Sequence, residues 1–140
     1  MTYYPIVLVD SGVLIAYYSA QDKYHQFVQR FYENCTSKLV TTQPICTEVM
    51  WLLNSDWRTQ NEFLLDIAKR LYKCKHLLPQ DFSRIAQLNA QYSDLPRDFA
   101  DLSLIAISER LDIAAIATLD SDFDIYRCYR KQPFERVMEI

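Results

Sequence analysis

Two apolar runs in this chain each end on an aspartate: Ile6-Val7-Leu8-Val9 stops at Asp10, and Ala114-Ala115-Ile116-Ala117-Thr118-Leu119 stops at Asp120. Unbroken apolar runs this short suit strands covered on both faces, the situation of a parallel sheet between layers of helices. Between them the pattern switches to the helical period. Residues 22–34 carry Tyr24, Phe27, Val28, Phe31 and Tyr32 at i, i+3, i+4 and i+7 spacing. Ser11 reads as the N-cap of a short helix reaching Tyr18, and Pro44 opens a helix to Asn54, because proline suits a first turn. Residues 59–73 place Phe63, Leu64, Ile67 and Leu71 on one face, residues 81–92 place Phe82, Ile85, Ala86 and Leu88, and Asp98 starts a helix to Leu111. Leu39-Val40-Thr41 and His76-Leu77-Leu78 read as further strands, Ser121-Asp122 as the start of a loop or short helix, and residues 136–140 as an edge strand. Alternating strands and helices, with a single glycine and therefore few tight turns, predict one α/β domain over residues 1–140. Its expected form is three layers, α/β/α, around a central, mainly parallel sheet of four to five strands.

Charge and composition narrow the function classes. A net charge of −3 argues against a protein that coats nucleic acid through a broad basic surface, but leaves a nuclease open, since a metal cluster attracts phosphate locally. No apolar stretch is long enough to span a bilayer and the N-terminus lacks a basic leader, so the expectation is a cytoplasmic protein with no membrane association. Cys35, Cys46, Cys74 and Cys128 are scattered, without a Cys-x-x-Cys pair, and read as reduced, mostly buried thiols rather than zinc ligands.

Four acids stand where apolar or neutral residues are the norm. Asp10 and Asp120 close buried strands, and Glu48 and Asp101 lie among apolar helical neighbours: Ile45, Trp51 and Leu52 around Glu48, and Leu104 and Ile105 around Asp101. A buried, unpaired carboxylate costs several kcal/mol, and acids brought together repel one another. In an open α/β sheet the carboxyl ends of the strands are where ligands bind, and all four acids can converge there. A divalent cation is the economical partner. Each acid also has a plainer reading. Asp10 could cap the following helix, Glu48 could snorkel to solvent, Asp101 could be the N3 partner of a helix capped by Asp98, and Asp120 could be a turn residue.

The segments Val9-Asp10-Ser11-Gly12-Val13-Leu14-Ile15-Ala16, Thr47-Glu48-Val49, Leu95-Pro96-Arg97-Asp98-Phe99-Ala100-Asp101-Leu102-Ser103-Leu104 and Ala117-Thr118-Leu119-Asp120-Ser121-Asp122-Phe123 resemble, in order and spacing, the four motifs of PIN domains. They are most similar to the VapC-type toxins of bacterial toxin–antitoxin pairs. Gly12 departs from the pattern, since many PIN domains place a polar residue there. The resemblance implies a ribonuclease dependent on Mg²⁺ or Mn²⁺, with Asp10, Glu48, Asp101 and Asp120 as catalytic and metal-binding acids. Asp122 is a further possible ligand; Asp122 and Asp124 are alternatives for the fourth acid, and Asp120 is preferred because it directly follows its strand. Oxygen-only ligation suits these cations, which acidify water and polarise a scissile phosphate. The products implied are a 5′-phosphate and a 3′-hydroxyl.

The same resemblance implies an RNA substrate, a homodimer and a cognate VapB-like antitoxin whose tail lies in a groove and presents a basic residue to the acids. Ser11, Thr118 and Asp98 are candidate supporting residues, and Arg97, Arg127, Arg130 and Lys131 candidate RNA contacts, with solvated surface charge the plainer reading of each cation. Tyr17, Tyr18, Trp51 and Trp57 could stack on bases or meet the antitoxin, although most aromatics should be core. Two other readings stand beside the toxin: a PIN nuclease in RNA processing without an antitoxin, and a PIN-like binding module that has lost its chemistry.

Overall fold

Ile6–Val9 forms β1 at the centre of a five-stranded sheet, with Val7, Leu8 and Val9 all buried. The computed structural model describes residues 3–128 and 131–138. The sheet order is β3-β2-β1-β4-β5, where β2 is Lys38–Thr42, β3 Tyr72–Lys75, β4 Ala115–Ala117 and β5 Glu135–Arg136. Every neighbouring pair runs parallel, with Leu8 opposite both Val40 and Ile116. Six α-helices occur among the described residues: α1 Ser11–Tyr18, α2 His25–Glu33, α3 Gln43–Leu52, α4 Trp57–Ala68, α5 Pro79–Gln91 and α6 Phe99–Leu111. The result is the expected three-layer α/β/α fold.

The helices begin where side chains satisfy their first backbone N–H groups. Thr42 caps α3 by accepting from the Ile45 N–H at 3.3 Å, with Pro44 in the first turn. Asp81 turns back to accept from the Leu78 N–H at 2.8 Å and pairs with Arg110 of α6 at 3.1 Å, which ties α5 to α6. Helix α6 is the buried one: every residue from Ala100 to Ser108 is buried, so it packs on all sides rather than along one stripe.

Three local expectations need correction. The N-cap of α1 is Asp10, not Ser11: Asp10 has extended φ/ψ of −85° and 162°, its carboxylate accepts from the Ser11 N–H, and Ser11 is already helical. Helix α4 ends at Ala68 instead of continuing to residue 73, and β3 occupies Tyr72–Lys75 instead of His76-Leu77-Leu78. The stop is a Schellman turn: Arg70 takes the left-handed φ of 66°, its N–H reaches Ile67 O at 3.0 Å, and Leu71 N–H reaches Asp66 O at 2.9 Å. Glycine usually marks that position; an arginine there leaves no trace in the hydrophobic pattern. The cysteines are also less hidden than expected, since only Cys128 is buried. Among the described residues no helix is long and apolar enough to cross a membrane.

Candidate active site

The strand order changes direction between β1 and β4, since the chain builds outward from β1 to β2 and β3 and then returns to β1's other side. Loops leaving two such strands diverge and open a crevice at their carboxyl ends. Asp10 stands at the end of β1, 3% exposed, with its N–H extending the ladder to Ala117 O at 3.1 Å. Its Oδ1 accepts from the Ser11 N–H at 2.8 Å and its Oδ2 from the Thr118 hydroxyl at 2.9 Å. That hydroxyl also accepts from the Asp120 N–H at 3.0 Å, so one threonine sets the positions of two acids. Asp101 comes from the first turn of α6, where Asp98 is the N-cap and accepts the Asp101 N–H at 2.8 Å.

One carboxylate oxygen from each of Asp10, Asp101 and Asp120 lies within 4.8 Å of the others. Glu48 is not part of this trio but is close enough to act on it electrostatically, raising the pKa of both Asp10 and Asp101. Its Oε2 is buried without a hydrogen-bond partner. Helix α3, which carries Glu48, is registered against α6 by the Thr42 and Ser103 hydroxyls, 2.7 Å apart. Asp122 lies within the 3₁₀ turn Ser121–Asp124, which Asp120 caps by accepting the Asp122 N–H on Oδ1 at 2.9 Å. Asp124 points elsewhere, paired with Arg136 Nη1 at 3.2 Å. Of the three alternatives for the fourth acid, Asp120 alone belongs to the trio.

The charges are in conflict. Burial above all pushes Asp10 up to about 7, against the pull of its bonds from Ser11 and Thr118, with Asp120 and Glu48 adding repulsion. Asp101 is pushed up to about 8, by burial first and then by Asp10, Asp98, Asp120 and Glu48. Glu48 is raised by burial and by Asp98, and a side-chain hydrogen bond from Ser11 draws it partly back. Burial and Asp120 raise Asp122. Tyr126, which the sequence reading passed over, belongs to this setting: it is wholly buried, its hydroxyl has no partner, and burial followed by the charges of Asp101, Asp122, Asp120 and Asp98 drives its phenol upward. Crowded acids, an orphaned carboxylate oxygen and an orphaned phenol together fit a site for a hard cation.

Residues 7–127 match the sequence model of the PIN domain. The chain belongs to the PIN-domain family. Among solved structures, the fold is similar to VapC20 of Mycobacterium tuberculosis, described as a Sarcin-Ricin loop cleaving toxin, with a TM-score of 0.74 at 17% identity over 85% of this chain and 93% of that one. It is similar to a toxin–antitoxin complex from Klebsiella pneumoniae, TM-score 0.64 at 13% identity over 82% and 87% of the two chains. VapBC2 from Rickettsia felis, bound to a DNA fragment from its promoter, gives a TM-score of 0.62 at 12% identity over 94% and 98%. No curated protein matches closely enough to count as a relative.

The cations of this PIN domain are more engaged than their sequence positions suggest. Arg97 is folded back onto the end of α5 and the turn after it, bonding Asn89 Oδ1 at 2.9 Å and the Ser93 carbonyl at 3.2 Å. Arg127 donates to the carbonyls of Asp124, Ile125 and Tyr126, closing the 3₁₀ turn. Lys131 is exposed with a left-handed φ of 60°, and Arg130 lies outside the described residues. Arg136, which no motif flagged, bonds the Thr118 carbonyl at 3.2 Å as well as Asp124, and so braces the end of β4.

Proposed function

We propose that this PIN domain is a Mg²⁺- or Mn²⁺-dependent endoribonuclease, acting as the toxin of a toxin–antitoxin pair. The observation that carries the reading is the trio of acids converging from β1, α6 and the end of β4, of which Asp10 and Asp101 are pushed up by burial and by the acids around them. In the proposal Asp10, Asp101 and Asp120 hold the cation, with Glu48 and Asp122 completing the acidic surround. A bound ion of this kind supplies positive charge to the phosphodiester and acidifies the attacking water. The protein's own groups do the positioning. Thr118 and the Ser11 N–H aim the two oxygens of Asp10, Thr118 sets Asp120, and Asp98 holds the first turn that presents Asp101.

Support for a protein partner comes from a groove of about 680 Å³ beside Glu48 and Asp98, walled in part by Trp51, Phe82 and Phe99. These three rings are exposed, and Phe82 stacks on Phe99 with centroids 6.0 Å apart. An antitoxin segment that buries apolar side chains there could extend a basic residue to the acids, which combines apolar area with charge neutralisation. Homodimerisation and a cytoplasmic setting belong to the same proposal.

Cleavage of RNA by the purified protein, dependent on Mg²⁺ or Mn²⁺ and stopped by EDTA, tests the chemistry. Full cleavage by the Asp101→Asn variant overturns the metal assignment. Co-purification with the product of an adjacent short reading frame, and loss of cleavage in that complex, tests the toxin role.

A further inference from the structure

Cys46 and Cys74 are 28 positions apart in the chain, yet their sulfurs meet at 3.5 Å. Cys46 lies on the second turn of α3, one turn beyond the Thr42 cap, and Cys74 lies on β3, the strand at one edge of the sheet, paired in register with Thr41. Both side chains are partly accessible, unlike Cys128. A disulfide needs sulfurs about 2.05 Å apart, so the remaining approach is roughly 1.5 Å, within reach of side-chain rotation and a slight shift of the helix against the strand. The contact was invisible in sequence because no Cys-x-x-Cys spacing announces it.

We propose that Cys46 and Cys74 are a redox modification site, closing to an intramolecular disulfide when the protein meets hydrogen peroxide. One thiol sulfur attacks a peroxide oxygen, the O–O bond breaks, and a sulfenic acid forms with release of water. The second sulfur displaces the sulfenic oxygen, which leaves as a second water, and the S–S bond forms. Two thiols are oxidised and one peroxide is reduced to two waters. The crosslink ties α3, the helix that bears Glu48, to the edge strand. A reducing dithiol reverses it, as expected for a thiol pair in a reducing compartment. The site is independent of the nuclease reading.

Peptide mapping of the full chain after hydrogen peroxide treatment, without reduction, is the test. The expected result is a linked peptide pair containing Cys46 and Cys74, lighter by two hydrogens than the two free peptides, lost on addition of dithiothreitol. It should persist in Cys35→Ser and vanish in Cys74→Ser. Recovery of Cys46 and Cys74 as free thiols or as sulfinic acids from peroxide-treated folded wild-type protein overturns the proposal. So does a mixture of pairings that matches the one formed by the denatured chain, a comparison that stands even if Cys74→Ser fails to fold.

Discussion

The Thr118 hydroxyl donates to Asp10 Oδ2 at 2.9 Å and accepts the Asp120 N–H at 3.0 Å, so a single buried oxygen links the ends of β1 and β4. Partners of this kind set the direction of ligating carboxylates, and their loss typically weakens metal binding or activity by about 10- to 100-fold. Thr118→Val keeps the shape and removes both bonds. The expected outcome is a loss in that range in Mn²⁺ affinity, read by calorimetric titration, with the fold retained by circular dichroism. Wild-type affinity in the variant would count against Thr118 as a positioning residue.

Above the value of about 8 to which its carboxyl is raised, Asp101→Asn removes one charge from a crowded set. The trio is held against its own repulsion, so the metal-free variant should be more stable than the metal-free wild type, by about 1 kcal/mol, while losing cleavage. Urea denaturation in EDTA measures the first effect and RNA cleavage the second. A less stable variant would mean that Asp101 contributes to folding through a bond stronger than the repulsion it suffers.

The raised carboxylates dictate a pH dependence. An acid whose folded pKa exceeds its ordinary value of 3.8 binds its proton more tightly in the folded state, so it favours folding when neutral and opposes folding once ionised. For Asp10, at about 7, and Asp101, at about 8, metal-free stability should fall as pH rises through the interval from 3.8 to those values, then level off. The wild type should lose more stability across this window than Asp10→Asn. Divalent cation binding requires the ionised acids, so Mg²⁺ affinity should rise through the same window. Thermal unfolding with EDTA or with Mg²⁺, compared at several pH values, checks both signs.

Away from the site, Arg110 holds Asp81, which is 3% exposed and also accepts from the Leu78 N–H. Removing the cation leaves a buried carboxylate with one bond too few. Arg110→Met should cost about 3 kcal/mol in unfolding free energy without changing metal affinity. An effect below about 1 kcal/mol would show that solvent already screens the pair.

The hydrophobic pattern by itself determined the architecture. An unbroken apolar run ending at Asp10 suits a strand covered on both faces, and β1, with Val7, Leu8 and Val9 buried, sits at the centre of a parallel sheet. The same local rules made Asp10, Glu48, Asp101 and Asp120 conspicuous, because a charge in an apolar setting is unfavourable wherever the chain goes. What a linear pattern cannot carry is the meeting of distant groups. Arg70 in the left-handed region displaced β3 from its expected place, since nothing in its neighbours marks a helix stop without glycine. Tertiary structure alone turned Asp124 to Arg136 and left Asp120 with Asp10 and Asp101, brought Cys46 to Cys74, and buried Tyr126 within electrostatic reach of the acids. Burial preferences are summed along the chain, whereas distances between charges and sulfurs exist only once the strands have paired and α3 and α6 have docked.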